Sequence, residues 1–169
     1  MQSTLQSEQF IPASIDEVWD FFSSPRNLDA LTPADLKFHI VTEDLGKMHA
    51  GQLIEYRISV FPGIWMKWLT EIRHVRDGEY FVDEQRFGPY QFWYHEHRFV
   101  PVAGGIRMTD HVTYRVGYGP FGWLAHKLFI RRMLKKICAY RAEAVARFFP
   151  SSTAEKPIPA ERSAMPAIR

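Results

Sequence analysis

Residues 80–99, YFVDEQRFGPYQFWYHEHRF, decide how the rest of the chain is arranged. On either side of Gly88-Pro89, aromatic and β-branched residues alternate with charged ones, which predicts two β-strands joined by a turn. Strand side chains alternate between faces. In the second strand Glu96 and Arg98 therefore share one face, and Trp93, His95, His97 and Phe99 share the other. In the first, Glu84 and Arg86 face out while Phe81, Asp83, Gln85 and Phe87 face in. An inward row holding an aspartate, a glutamine and two histidines is costly unless those groups bond one another, water or a ligand. The row predicts a partly polar cavity.

Strand signals extend from Leu36 through Arg115, divided by turn chemistry near Leu45-Gly46, Pro62-Gly63, Asp77-Gly78 and Gly104-Gly105. This pattern predicts an antiparallel meander. Charged neighbours set the inward rows: Ile54, Tyr56 and Ile58; Met66, Trp68, Thr70 and Ile72; and Met108, Asp110, Val112 and Tyr114. Arg107, Thr109, His111, Thr113 and Arg115 form the outer row of the last strand.

Upstream, Leu5 to Ile11 reads as a first strand ended by Pro12, and Ser14-Ile15-Asp16-Glu17 as a capping box. Ile15, Val18, Trp19 and Phe22 then recur at helical spacing until Pro25, and a second short helix is expected over Asn27 to Leu31. Downstream, Gly117-Tyr118-Gly119-Pro120 ends the sheet and starts a long helix running to about Phe149. Leu124, Leu128, Phe129, Met133, Ile137, Tyr140, Ala144 and Phe148 are expected on its buried face. Lys127, Arg131, Arg132, Lys135, Lys136, Arg141 and Arg147 are expected on the other. After Pro150 the composition turns to Ser, Ala, Pro and isolated charges without periodicity. One domain over residues 1–149 and a disordered tail over 150–169 are expected.

Composition excludes several classes. A chain of 169 residues that is 46% hydrophobic suits one globular domain, and a net charge of +2 gives no reason to propose nucleic acid. The single cysteine, Cys138, precludes an intrachain disulfide and agrees with a reducing compartment. No apolar run reaches membrane-spanning length, and MQSTLQSEQFIP lacks the features of a secretory signal, so a cytoplasmic location is expected. There is no serine-nucleophile motif, phosphate-cradling glycine loop or metalloprotease helix.

The order strand, two short helices, antiparallel meander and long C-terminal helix, over Thr4 to Phe149, resembles the α+β helix-grip fold of the SRPBCC superfamily. That superfamily includes START, birch-pollen-allergen and polyketide-cyclase relatives. Phe81-x-Asp83-x-Gln85-x-x-Gly88-Pro89, Trp93-x-His95-x-His97-x-Phe99 and Asp110-x-Val112-x-Tyr114 resemble a bacterial subgroup of SRPBCC ligand-binding-domain proteins. The resemblance implies a curved sheet wrapped around the long helix, with an apolar cavity between them. Its members range over lipid and hormone binders, cyclases, dehydratases, hydroxylase domains and chaperone activators.

His95 and His97, two apart on one strand face, can reach a metal together with Asp83 or Asp110. We read them instead as hydrogen-bonded cavity histidines, with no metal and no cofactor expected. The expected ligand-binding set is Trp68, Thr70, Phe81, Asp83, Gln85, Trp93, His95, His97, Met108, Asp110 and Tyr114. Large side chains in this set suggest a modest volume. The expected function is binding of a small apolar or amphipathic molecule (lipid-, polyketide- or aromatic-like). Two alternatives stay open: a cyclase- or dehydratase-like enzyme using His95, His97, Asp83 and Asp110 as acid/base groups, and a protein-interaction module using the basic helix face or the Trp65 region.

Overall fold

The computed structural model describes residues 2–28, 30–33, 36, 38–43, 45–61, 64–117 and 119–150. The Pro62-Gly63 turn, Tyr118 and the segment after Pro150 lie outside the described residues. Among them, β1 (Gln2–Ile11), β2 (His39–Ile40), β3 (Leu53–Phe61), β4 (Ile64–Arg76), β5 (Tyr80–Phe87), β6 (Phe92–Val102) and β7 (Gly105–Arg115) form one antiparallel sheet. Its order is β1-β7-β6-β5-β4-β3-β2. Strands β3 to β7 are a meander of sequential neighbours, and β1 closes onto β7 along its whole length, Gln2 opposite Arg115 and Ile11 opposite Ile106. The fold is the α+β helix grip.

The Ser14 hydroxyl accepts from the Glu17 amide while the Glu17 carboxylate accepts from the Ser14 amide, which starts α1 (Ile15–Phe22). The helix buries Val18, Trp19 and Phe22 against Phe81 and Phe99 of the sheet, with edge-on ring contacts at 6.1 and 5.8 Å from Trp19. Each such side chain contributes roughly 1.5 to 3 kcal/mol by leaving water. The second short helix is a single 3-10 turn at Pro25–Leu28 rather than at Asn27 to Leu31, because Pro25 fits the first position of a new turn.

The strand signal from Leu36 is interrupted. Among the described residues between Leu36 and Leu53, His39–Ile40 is the stretch paired in register with β3, and Gly46 and Gly51 adopt φ of 46° and 83°, which an extended strand does not accommodate. A second departure is Phe87, expected inward but 63% exposed. Thr70 pairs with Gln85 and Leu69 with Phe87, so Arg86 is an extra residue in β5. This bulge turns Phe87 to the outer face beside Leu69.

The long C-terminal helix is present but is not α-helical throughout. Between α2 (Gly119–Ala125) and α3 (Arg131–Phe148) lies a π-helical turn, His126–Ile130. A wider turn shifts the phase of every residue after it relative to those before. Leu124, Leu128, Phe129 and Phe148, expected on the buried face, are exposed, while Leu134, Ala144 and Val145 are buried. Arg141, expected on the outer face, turns inward with them, its side chain 14% exposed.

Candidate functional site

Between the inward face of the sheet and the helices lies a cavity of about 820 Å³. Ile54, Tyr56, Ile58, Met66, Trp68 and Thr70 line it from β3 and β4, and Phe81, Asp83, Trp93, His95 and His97 from β5 and β6. Phe21, Phe22, Leu28 and Leu31 cover one side, and Leu134, Ile137, Cys138 and Arg141 the other. Leu128 and Phe129 line it while being 47% and 61% exposed, which places them at its mouth. The volume exceeds the modest pocket expected from so many large side chains. Those side chains stack on one another instead of projecting into the space: Trp68 meets Trp93 edge-on at 5.2 Å and Tyr90 at 5.5 Å.

The polar part of the wall is built by strand register. Asp83 pairs with His95 across β5 and β6, and His97 with Asp110 across β6 and β7. All four side chains share the inward face, and the imidazoles lie with centroids 3.8 Å apart. Asp83 Oδ2 is 3.3 Å from His95 Nδ1 and 3.1 Å from His97 Nε2. Asp110 Oδ1 is 3.0 Å from His95 Nε2 and 2.8 Å from His97 Nδ1. That last approach lacks the alignment of a hydrogen bond, so His97 Nδ1 is buried without one. Each imidazole thus sits between two carboxylates.

Further contacts hold the cluster in place. Trp93 Nε1 donates to Asp83 Oδ1 at 3.2 Å, and Arg141 Nη1 donates to Asp110 Oδ1 at 3.3 Å. Phe81 stacks on the His97 ring at 4.2 Å. Both histidines are about 95% buried, at 5% and 6% exposure. Burial pushes the Asp83 carboxyl up, but the His95 charge and the hydrogen bonds from both histidines outweigh it and hold Asp83 well below the usual carboxylate range. Burial acts likewise on Asp110, where the Arg141 charge and the two histidines prevail. Burial disfavours His95 protonation, and Asp83 and Asp110 more than offset that, raising its pKa above the ordinary histidine value.

Of the residues expected to bind ligand, Trp68, Thr70, Phe81, Asp83, Trp93, His95 and His97 are on the cavity wall. The remaining four serve neighbouring groups. Asp110 lies behind the histidines. Gln85 donates to the Tyr90 carbonyl at 2.6 Å and accepts from the Tyr90 amide at 3.2 Å. The Tyr114 hydroxyl bonds His126 Nε2 at 2.8 Å, and Met108 is in the core with Ile11 and Val18. Trp65 is 53% exposed at the start of β4.

Sequence reasoning missed Arg141, Cys138 and the contribution of Phe21, Leu28 and Leu31. A signal for Arg141 exists: Leu134, Ile137, Cys138, Arg141 and Val145 follow spacings of three, one, three and four, one helical stripe that contains the arginine. Tyr56, inward as its strand alternation predicts, donates its hydroxyl to Thr70 beside the cavity.

Several solved structures share the fold at low sequence identity. TTHA0849 from Thermus thermophilus is 21% identical, covering 86% of this chain and 99% of that one, with a TM-score of 0.60. CV1439 from Chromobacterium violaceum is 12% identical over 88% of this chain and 98% of that one, with a TM-score of 0.67. Norcoclaurine synthase from Thalictrum flavum, in complex with dopamine and hydroxybenzaldehyde, is 16% identical over 92% and 90%, with a TM-score of 0.61. No curated protein matches the sequence significantly. The sequence pattern of one family spans residues 11–146, from the end of β1 to the last turns of α3. This chain therefore belongs to the family described as polyketide cyclase / dehydrase and lipid transport.

Proposed function

We infer that the protein binds a small, largely apolar molecule in the cavity, with Asp83, His95 and His97 meeting the polar part of that molecule. The observation that carries this reading is an apolar space of about 820 Å³ whose wall holds one ionic cluster. Sites for small molecules combine these two elements, a concave apolar lining and a few fixed polar groups. A neighbour of the same fold is described with two small aromatic molecules bound, a size this cavity accommodates. None of the helices among the described residues is long and apolar enough to cross a membrane.

Native mass spectrometry of the purified chain tests the reading, followed by titration of any co-purified molecule back into delipidated protein. Trp68 and Trp93 on the wall make intrinsic fluorescence the readout. A saturable one-to-one change, weakened in Trp68→Ala, is expected. If neither a bound molecule nor a saturable response to fatty acids and aromatic ketones is found, the binding function fails.

The cyclase- or dehydratase-like alternative has one specific observation in its favour. Two imidazoles bridged to two carboxylates at the edge of an apolar cavity can take up and return a proton at a bound substrate. Turnover of a bound β-polyketone, lost in His97→Phe while binding persists, distinguishes it from binding alone.

A further inference from the structure

We propose that Asp83 Oδ2, His95 Nδ1 and His97 Nε2 form a site for a divalent transition-metal ion, zinc in the first instance, open to the cavity. This does not depend on the apolar ligand and reverses the reading of the two histidines as a purely hydrogen-bonded pair. Three observations carry it. One ligand atom from each of Asp83, His95 and His97 falls within 4.8 Å of the others. The carboxylate oxygen is 3.3 Å and 3.1 Å from the two nitrogens. Tetrahedral zinc with bonds of about 2.0 to 2.1 Å sets neighbouring ligand atoms about 3.3 Å apart.

The second observation is what stands behind the ligands. A metal-bound histidine commonly donates its other N–H to a carboxylate, which fixes the tautomer and the ring plane. Here Asp110 Oδ1 does this for His95, accepting at 3.0 Å from Nε2, and it lies 2.8 Å from His97 Nδ1 without the alignment of a hydrogen bond. Asp110 is itself tied to Arg141, and Asp83 gives its other oxygen to Trp93 Nε1. Asp83 and His95 are thus each oriented by a second hydrogen bond.

The third is an accounting of protons. A neutral imidazole has one N–H and one lone pair. With a carboxylate oxygen at both nitrogens of both rings, a neutral ring sets a lone pair against an oxygen. Charging both rings instead sets two cations with ring centroids 3.8 Å apart. An ion on the Asp83 side resolves the conflict. Both rings then stay neutral, their N–H groups point to Asp110, and their lone pairs converge on the metal with Asp83 Oδ2. His97 Nδ1, 2.8 Å from Asp110 Oδ1 without the alignment of a hydrogen bond, carries the N–H of its ring in this arrangement.

Two imidazoles and one carboxylate suit zinc, iron or copper and not magnesium or calcium, which take oxygen ligands. Three protein ligands leave a coordination position for the cavity's occupant. The class of molecule so recognised is an apolar compound carrying a ketone, phenol or carboxylate oxygen, which the ion would hold and polarise.

The test uses chelator-treated, dialysed full-length protein and zinc chloride alone. One equivalent of zinc should bind by calorimetry. Histidine side-chain NMR should place the metal on His95 Nδ1 and His97 Nε2, with protons retained on His95 Nε2 and His97 Nδ1. Asp110→Asn should weaken binding about 10- to 100-fold. Asp83→Asn should weaken it further, and His111→Ala, on the outer face, should leave it unchanged. No saturable binding by folded wild-type protein overturns the proposal. So does zinc binding that leaves the His95 and His97 resonances unmoved, an outcome that needs no variant to fold. Failure of this test leaves apolar-ligand binding standing, because that is read by tryptophan fluorescence in metal-free protein.

Discussion

Arg141 of α3 reaches Asp110 of β7 at 3.3 Å, an ion pair that crosses from helix to sheet directly behind the two cavity histidines. Its partners are nearly buried, at 14% and 13% side-chain exposure, so neither charge is well solvated without the other. The contact joins the position of the helix to the electrostatics of the site. Arg141 also lines the cavity, so a change at this position alters the wall and the charge behind the histidines together.

Arg141→Met should destabilise the protein by about 3 kcal/mol, because it removes the cation and leaves Asp110 buried beside the histidines. Urea denaturation followed by circular dichroism measures this. Asp110→Asn in the same background should recover part of the loss, since the unpaired charge goes with it. An Arg141→Met midpoint equal to that of wild type would mean that the pair contributes nothing.

Metal-free protein should be most stable between the ordinary carboxylate and histidine ranges, about pH 4 to 6.5. Asp83 and Asp110 are held below their ordinary values, so their contribution is present above about pH 4 and disappears as acid protonates them in the folded state. His95 is raised above its ordinary value, so its contribution is complete below about pH 6.5 and disappears as pH rises through the folded value. Urea midpoints across pH in the presence of chelator test both limbs. Asp83→Asn should flatten each of them.

Cys138 lines the cavity, and burial pushes its thiol up from the ordinary value. Less thiolate and restricted access both slow alkylation. Iodoacetamide at neutral pH should label the native chain at least about tenfold more slowly than the urea-unfolded chain. A molecule occupying the cavity should slow it again. Equal labelling with and without a bound molecule would separate the thiol from the binding space.

Gly88→Ala should destabilise by about 1 to 2 kcal/mol through a steric route. A Cβ there would sit 2.5 Å from Gln85 Oε1, and Gln85 holds the Tyr90 backbone through both polar atoms of its side-chain amide. The double variant with Gln85→Ala should lose less than the sum of the singles, because the clash and the clamp involve the same side chain. Additive losses in thermal melts would assign the glycine some other role.

Local periodicity was enough to specify several features. Alternation in Trp93 to Phe99 and Met108 to Tyr114 put both histidines and Asp110 on one face, and the spacing of Ser14 and Glu17 marked the start of α1. Both follow from interactions within a few residues, and the observed strands and helix agree. The motifs around Asp83 and Gly88-Pro89 added the helix-grip architecture by resemblance. Tertiary structure decided the rest. An extra residue at Arg86 sent Phe87 outward, and a π-helical turn at His126–Ile130 offset the helix face before it from the face after it. Neither a bulge nor a wide turn has a local signature, since each is set by what the neighbouring strand or sheet requires. The pairing of His95 Nδ1 and His97 Nε2 with one carboxylate, and of their opposite nitrogens with another, depends on three strands meeting in one register. A sequence read residue by residue states which groups face inward. Which atoms meet there is set by register and ring orientation, and these exist only once the sheet and the helix have closed on each other.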